Sequence, residues 1–372
     1  MPRTTMPRRS GGAPRAAQPS AARVRRAGAV AAVAALALSA CSAIDASDDP
    51  STPSDTVTLV THDSFALADG LIESFEQESG LRVEIVTPGD GGSLVNQLVL
   101  TKDAPLGDAV FGIDNSFASR AIDAGVLDPY TSQAPAAADA EQYAPDGSGS
   151  LTAIDVGDVC VNVDDAWFAE RGLAAPATLE DLARPEYRDQ LVVTNAATSS
   201  PGLAFLLATV GAFGEDGWQG YWQRLQANGV KVVESWSDAY DVDFSGGSGQ
   251  GERPLVLSYA SSPPFTVPEG GSEPPTSALL DTCFRQVEYA GVLANAQNPE
   301  GARQLVDFLL SDEAQAGIPG SMYMYPVSGD VELPAEWARW APLADAPFQV
   351  APAAIEQHRD EWIRAWTDIV TG

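Results

Sequence analysis

Between residues 57 and 113 the chain changes its hydrophobic period four times. Residues 57–61, Val-Thr-Leu-Val-Thr, alternate and are rich in β-branched side chains, so they read as a strand. Leu71, Ile72 and Phe75 then recur at helical spacing within residues 67–79, with Gly80 as the stop. Residues 81–87 alternate again. A Pro-Gly-Asp-Gly-Gly turn at 88–92 leads into a helix over 93–101, and residues 109–113, Ala-Val-Phe-Gly-Ile, are continuously apolar. This strand–helix–strand–helix–strand order calls for an α/β sheet with parallel connections, because each helix returns the chain over a sheet face.

The rest of the chain keeps to that vocabulary. Strands are expected at 151–163, 190–194, 229–234, 254–259 and 284–292. Helices are expected from Thr178 and over 203–213, 218–227, 302–310 and 356–370, and Pro- and Gly-rich stretches at 135–150 and 263–277 read as loops. No internal repeat or heptad pattern occurs. A length of 372 residues with 45% hydrophobic content suits two domains with ample core.

Charge narrows the function classes. The 21 Lys and Arg against 51 Asp and Glu give a formal −30, which argues against nucleic acid and against anionic membrane surfaces. Seven Arg (3, 8, 9, 15, 23, 25 and 26) fall within residues 1–40, which hold no acid, so the remainder has 14 bases against 51 acids and carries −37. Behind Arg25-Arg26, residues 27–40 are apolar. Such a run is too short for a spanning helix, which needs about 20 residues, but suits a signal-peptide core. It ends in Leu38-Ser39-Ala40-Cys41, which resembles the bacterial lipobox, whose cysteine is lipidated; an ordinary signal peptide with a chance Cys is the alternative. The expectation is a lipoprotein signal peptide over 1–40, exported by the general or the twin-arginine route, and a flexible Ser-, Asp-, Pro- and Thr-rich tether over 41–55. The body is then held at the outer face of the cytoplasmic membrane by lipid on Cys41. Cys160 and Cys283 remain, and an oxidising compartment favours their pairing over two buried free thiols.

Four segments sit at the ends of expected strands, where α/β sheets bind ligands. The first is Thr61-His62-Asp63-Ser64-Phe65. The second is Gly89-Asp90-Gly91-Gly92-Ser93, whose glycines allow close backbone approach ahead of a helix N-terminus; it also serves as a plain turn, and it lacks the Lys of a Walker A loop. The third, Thr198-Ser199-Ser200-Pro201-Gly202, sets hydroxyls before a Pro in the first helical turn, which makes either an anion site or an ordinary cap. The fourth is aromatic: Trp236 with Tyr240 after one strand, and Tyr259 in Ser258-Tyr259-Ala260-Ser261-Ser262-Pro263 after another. Such rings sandwich a flat or cationic ligand ring, or simply fill core. Catalytic readings have no anchor. His358 falls on an amphipathic helix, His62 has Asp63 beside it but no nucleophile, and no HExxH, CxxC or GxSxG pattern occurs.

Taken in order, these segments resemble the bacterial thiamine-binding proteins, solute receptors of ABC transporters. The likeness runs from about residue 57 to 367. It rests on residues 61–65, 89–96, 111–115 (Phe-Gly-Ile-Asp-Asn), 198–203, 235–240 and 256–263, on Ile318-Pro319-Gly320 through Met324-Tyr325-Pro326-Val327, and on Glu361-Trp362 to Trp366. Where the family commonly has Tyr-Asp-Ser-Phe, this chain has His62-Asp63-Ser64-Phe65, and the following segment is shorter and lacks a Trp that some members carry.

The resemblance implies a type II periplasmic-binding-protein clamshell, each lobe a sheet flanked by helices, with residues 56–158 plus 284–325 as lobe 1 and 159–283 plus 326–372 as lobe 2. It implies a monomer that closes on thiamine or a thiamine phosphate and delivers it to a permease and its ATPase, with no enzymatic activity, cofactor or metal. Trp236 and Tyr259 contact the thiamine rings; Asp90, Gly91, Ser199 and Ser200 lie near any phosphate; His62, Asp63 and Tyr240 complete the expected ligand set. Cys160 and Cys283, close to the two crossovers, are expected to staple the hinge. The same class could instead take hydroxymethylpyrimidine or a polyamine on Asp63, Asp90 or Asp238, or iron(III), although the adjacent tyrosines typical of iron receptors are missing. An extracytoplasmic enzyme using His62-Asp63 as base, or a purely structural lipoprotein, are the readings outside it.

Overall fold

The computed structural model describes residues 54–145, 149–247 and 251–372. The expected leader 1–40, Cys41 and the tether as far as residue 53 lie outside them.

The alternating opening folds as its periods require. β1 (Thr56–Val60) is followed by α1 (Leu71–Ser79), which stops where Gly80 takes a φ of 73°, and by β2 (Arg82–Val86). α2 (Gly91–Leu100) returns the chain to β3 (Ala109–Asp114), whose six residues are all buried. α3 (Ala118–Ala124), β4 (Leu127–Asp128) and α4 (Ala137–Ala140) lead to the long β5 (Thr152–Asp164). A second alternating block runs through α5 (Asp165–Arg171), α6 (Leu179–Leu182), β6 (Leu191–Thr194), α7 (Ser200–Phe213), α8 (Trp218–Ala227), β7 (Lys231–Val233) and β8 (Leu255–Tyr259). The chain then returns along β9 (Thr276–Leu293) and closes with α9 (Pro299–Leu309), α10 (Asp312–Ser321), β10 (Tyr325–Pro326), α11 (Trp337–Trp340) and α12 (Pro352–Thr371).

The strands form one ten-stranded sheet in the order β2-β1-β3-β9-β5-β8-β6-β7, with β4 on β9 and β10 on β5. β1 runs parallel to β2 and β3, and β6 runs parallel to β7 and β8. Between these blocks the antiparallel pair β5–β9 joins β8 on one side to β3 on the other. The curled sheet with flanking helices is the type II binding-protein fold.

Two differences from expectation have physical causes. The strand expected over 284–292 starts at Thr276, because the far half of β5 supplies a partner: Val161 to Asp164 pair with Leu279 to Thr276. The loop expected over 263–277 is correspondingly shorter and opens with the 3₁₀ turn Pro263–Thr266.

α7 is apolar on every side and buries eleven of its 14 residues, so it lies inside the layer rather than on it. α8 and α12 close over it. Trp222 meets Trp366 edge-on at 5.5 Å, and its Nε1–H donates to Thr209 Oγ1 of α7 at 2.9 Å.

Cys160 on β5 and Cys283 on β9 are joined, with Cα atoms 4.2 Å apart. They sit where the β5–β9 register shifts, between the pairs Val159–Phe284 and Val161–Leu279. Because the link closes a loop spanning 123 positions, reducing it is expected to cost about 2–5 kcal/mol of folding stability. Alkylation of the unfolded, non-reduced protein should leave both residues unmodified; a labelled Cys160 or Cys283 contradicts the pairing.

Candidate functional site

Loops leaving the carboxyl ends of β1, β2, β6, β7 and β8 converge on a cavity of about 230 Å³. One wall comes from the turn into α2. Asp90 caps that helix, and its carboxylate accepts from three backbone N–H groups: Gly91 at 2.6 Å, Ser200 at 3.2 Å and Trp236 at 3.0 Å. The N-termini of α2 and α7 therefore meet head to head. Gly91 makes this possible, since a Cβ there would stand 2.0 Å from Ser200 Oγ. Burial pushes the Asp90 carboxyl up to about 6, and the bonds from Trp236 and Gly91 work against that shift. The donors expected to receive a phosphate thus already hold a carboxylate of the chain itself.

The aromatic wall adjoins the α2 turn through the Trp236 N–H on Asp90. Trp236 stacks on Tyr240 with ring centres 4.9 Å apart and an interplanar angle of 15°. Tyr240 lies in a single π-helical turn, Asp238–Asp243, a rare form that its sequence does not announce. The Trp236 indole N–H donates to Ser258 Oγ at 2.9 Å, and Ser258 Oγ lies 2.8 Å from Ser262 Oγ. Tyr259 projects from the end of β8, and its hydroxyl accepts from Gln286 Nε2 at 3.2 Å.

His62 closes the floor. Its ring lies against Phe111, where Gly112, at a φ of 95°, leaves room: a Cβ there would stand 2.2 Å from His62 Cδ2. Nδ1 is 3.0 Å from Ser64 Oγ, and Nε2 is 3.6 Å from Glu288 Oε1. Burial lowers its pKa to about 4, so the ring is neutral at physiological pH.

Of the nine expected ligand residues, His62, Asp90, Gly91, Ser200, Trp236, Tyr240 and Tyr259 line the cavity. Asp63 does not: it lies exposed in the turn that follows β1, its N–H bonded to Gly89 O. Ser199 is buried behind the wall, where its hydroxyl donates to Thr194 Oγ1 at 2.8 Å and caps α7 through Gly202 N–H. Sequence reasoning missed Glu288, Ser262 and Phe265, and also Met322, Tyr323 and Met324 from the segment after α10. The last three belong to a block that carried the resemblance, which was the available signal. Among the described residues the lining holds no Lys or Arg, but it includes Asp90, Asp241 and Glu288.

Across the strands Glu288 faces Asp155, and both are buried. Burial pushes the Asp155 carboxyl up to about 8, so the folded state keeps a proton that the unfolded chain has released above about pH 4. A raised carboxyl removes stability as pH rises towards its folded value. From pH 6.5 to 8, where His62 is neutral in the folded state, Asp155→Asn should gain stability relative to the parent by at most about 1.4 kcal/mol per pH unit. Urea unfolding at the two pH values checks this, and parallel pH profiles contradict it.

Comparison with known proteins agrees with this architecture. Residues 105–247 match the family of bacterial extracellular solute-binding proteins. The thiamine-binding periplasmic protein of Escherichia coli K12 is 30% identical over 325 residues, covering 85% of this chain and 93% of its own. That of Brucella suis biovar 1 is 28% identical, over 84% and 91%. A solved structure of a periplasmic thiamin binding protein superposes with a TM-score of 0.73 at 27% identity, covering 85% of this chain and 96% of the other. These relatives are binding proteins rather than enzymes, and this chain likewise has an extracytoplasmic solute-binding role. The chain belongs to the family of the thiamine-binding periplasmic proteins.

Proposed function

We propose that this protein is a lipid-anchored receptor that binds thiamine and hands it to an ABC-transporter permease and ATPase for import. The observation that carries this reading is the pairing of a stacked Trp236–Tyr240 wall with an acidic lining that has no basic side chain among the described residues. Thiamine is a flat cation with two heteroaromatic rings. Aromatic faces attract such a charge by about 0.5–2 kcal/mol each, and a low-dielectric carboxylate adds to that. The relatives named above support the same ligand. Phosphate esters take second place, because Asp90 occupies the backbone donors a phosphate needs. All nine expected residues serve binding: seven at the cavity surface, Ser199 from behind the wall and Asp63 from the exposed turn after β1.

The chain closes as a monomer between two lobes, residues 56–158 plus 284–325 and 159–283 plus 326–372. Packing supports this division, since α12 rests on α8, whereas α9 rests on α1 and β1. The Cys160–Cys283 link then holds the two crossover strands together while the lobes rotate. Cys41 carries the lipid that keeps the receptor at the outer face of the cytoplasmic membrane.

A thermal-shift titration tests the ligand. Thiamine at a hundred times its dissociation constant should add about 2.7 kcal/mol of stability, a shift of several degrees. Trp236→Ala should lose most of that shift while its own unliganded midpoint still marks a folded protein. Thiamine phosphates, hydroxymethylpyrimidine, spermidine and iron(III) serve as comparison ligands. A shift with one of these and none with thiamine would overturn the assignment.

A further inference from the structure

The aromatic wall accounts for a flat ring, but the mechanism so far leaves Glu288 unused. This residue lies on the cavity floor in the middle of β9, directly across from Asp155 of β5. Side chains opposed in this way stand about 5 Å apart at Cβ. Both carboxyls are withdrawn from water, with Asp155 fully buried and Glu288 5% exposed. No backbone N–H and no neutral side-chain donor reaches either oxygen of Asp155; its one side-chain hydrogen bond is the one it shares with Glu288.

Among the described residues no Lys or Arg is paired with either carboxyl. Arg285, the one basic residue on β5 and β9, is committed to Asp158, with Nε 2.7 Å from Oδ1. The remaining neighbours add negative charge or none. β3 contributes Asp114, held by the N–H groups of Ser116 and Phe117; the α2 cap contributes Asp90; β8 contributes Tyr259; and β10 sets Pro326 against Asp155. The loop after β1 contributes His62, which is neutral. Among the described residues no group of three or more His, Cys, Asp or Glu is placed to hold a metal ion. Two carboxylates this close in a dry site cannot both ionise, so the pair shares one proton.

A separate observation points to a ligand. His62 is 7% exposed and lines the same floor, and its Nε2 has no hydrogen-bond partner although Glu288 lies 3.6 Å away. An arriving positive charge would replace the shared proton as the counter-charge of Glu288.

Resting on the thiamine reading of this cavity, we propose that Glu288, backed by Asp155, reads the charge of the ligand and releases the shared proton to solvent when a cationic ring enters. Burial and the neighbouring carboxylates push both groups upward, Asp155 to about 8, which places the exchange in the physiological range. The sign follows: binding releases a proton, so affinity rises with pH between 6.5 and 8, by up to about tenfold per unit for one whole proton.

Isothermal titration of the chain with thiamine chloride, in phosphate and in Tris at pH 7, counts that proton from the difference in heat between buffers. About one proton released is expected for the parent and none for Glu288→Gln, with affinity weakened on the order of tenfold to a hundredfold in that variant. Asp155→Asn removes the repulsion and should lower the proton count while binding persists. Thiamine binding with equal heats in both buffers and no pH dependence overturns the inference and leaves the ligand reading standing. A Glu288→Gln protein that melts as the parent and keeps the parent's affinity and proton count also overturns it. Absence of any binding heat overturns both.

Discussion

A single carboxylate ties the site together. Asp90 accepts from Gly91 at the start of α2, from Ser200 at the start of α7 and from Trp236 in the segment after β7. These donors come from distant stretches of chain, and under the two-lobe division the first belongs to one lobe and the others to its partner. Two positive helix ends pointing at one another would repel; a buried acid between them neutralises both. The arrangement also fixes the backbone at Trp236. Its side chain is then held a second time through Ser258, so the aromatic wall is set before any ligand arrives. Such preorganisation cuts the ordering cost of binding.

The rest of the cavity follows the opposite electrostatic rule. Asp90 is surrounded by donors, whereas Asp155 and Glu288 have almost none. In a dry environment the first stays closer to an ordinary carboxylate and the second two do not. One fold thus holds an anion that does structural duty and an acid pair free to respond to charge. His62, made neutral by burial, lies beside Glu288 on the lining without adding a competing cation.

Much of this was legible in the sequence because it is local. The alternating opening gives β1 to β3 with their helices, and strand-end segments locate His62, Asp90, Ser200, Trp236 and Tyr259. The failures are non-local or fine-grained. Glu288 sits in Gln-Val-Glu-Tyr-Ala-Gly-Val, which reads only as strand, and its partner Asp155 is brought to it by the β5–β9 pairing. The first half of β9 is a strand only because β5 is there to receive it. Asp63 is chemically suited to a site, yet the turn after β1 leaves it exposed while the neighbouring His62 lines the cavity. Ser199 and Ser200 are adjacent hydroxyls; the helix start assigns the first to capping and the second to the cavity, and composition does not distinguish them. Tyr323 reaches the cavity after α10 from a left-handed backbone position, φ 55°, that a tyrosine rarely takes.

Thiamine bound in this cavity would lie between the aromatic wall of Trp236 and Tyr240 and the acid floor of Glu288. A crystal structure of the chain grown with thiamine would show this placement. The expected density has a ring against Trp236 and the positive heterocycle or its amino edge within hydrogen-bonding or contact distance of Glu288. Thiamine seated elsewhere, or turned so that Glu288 meets only apolar atoms, would contradict it.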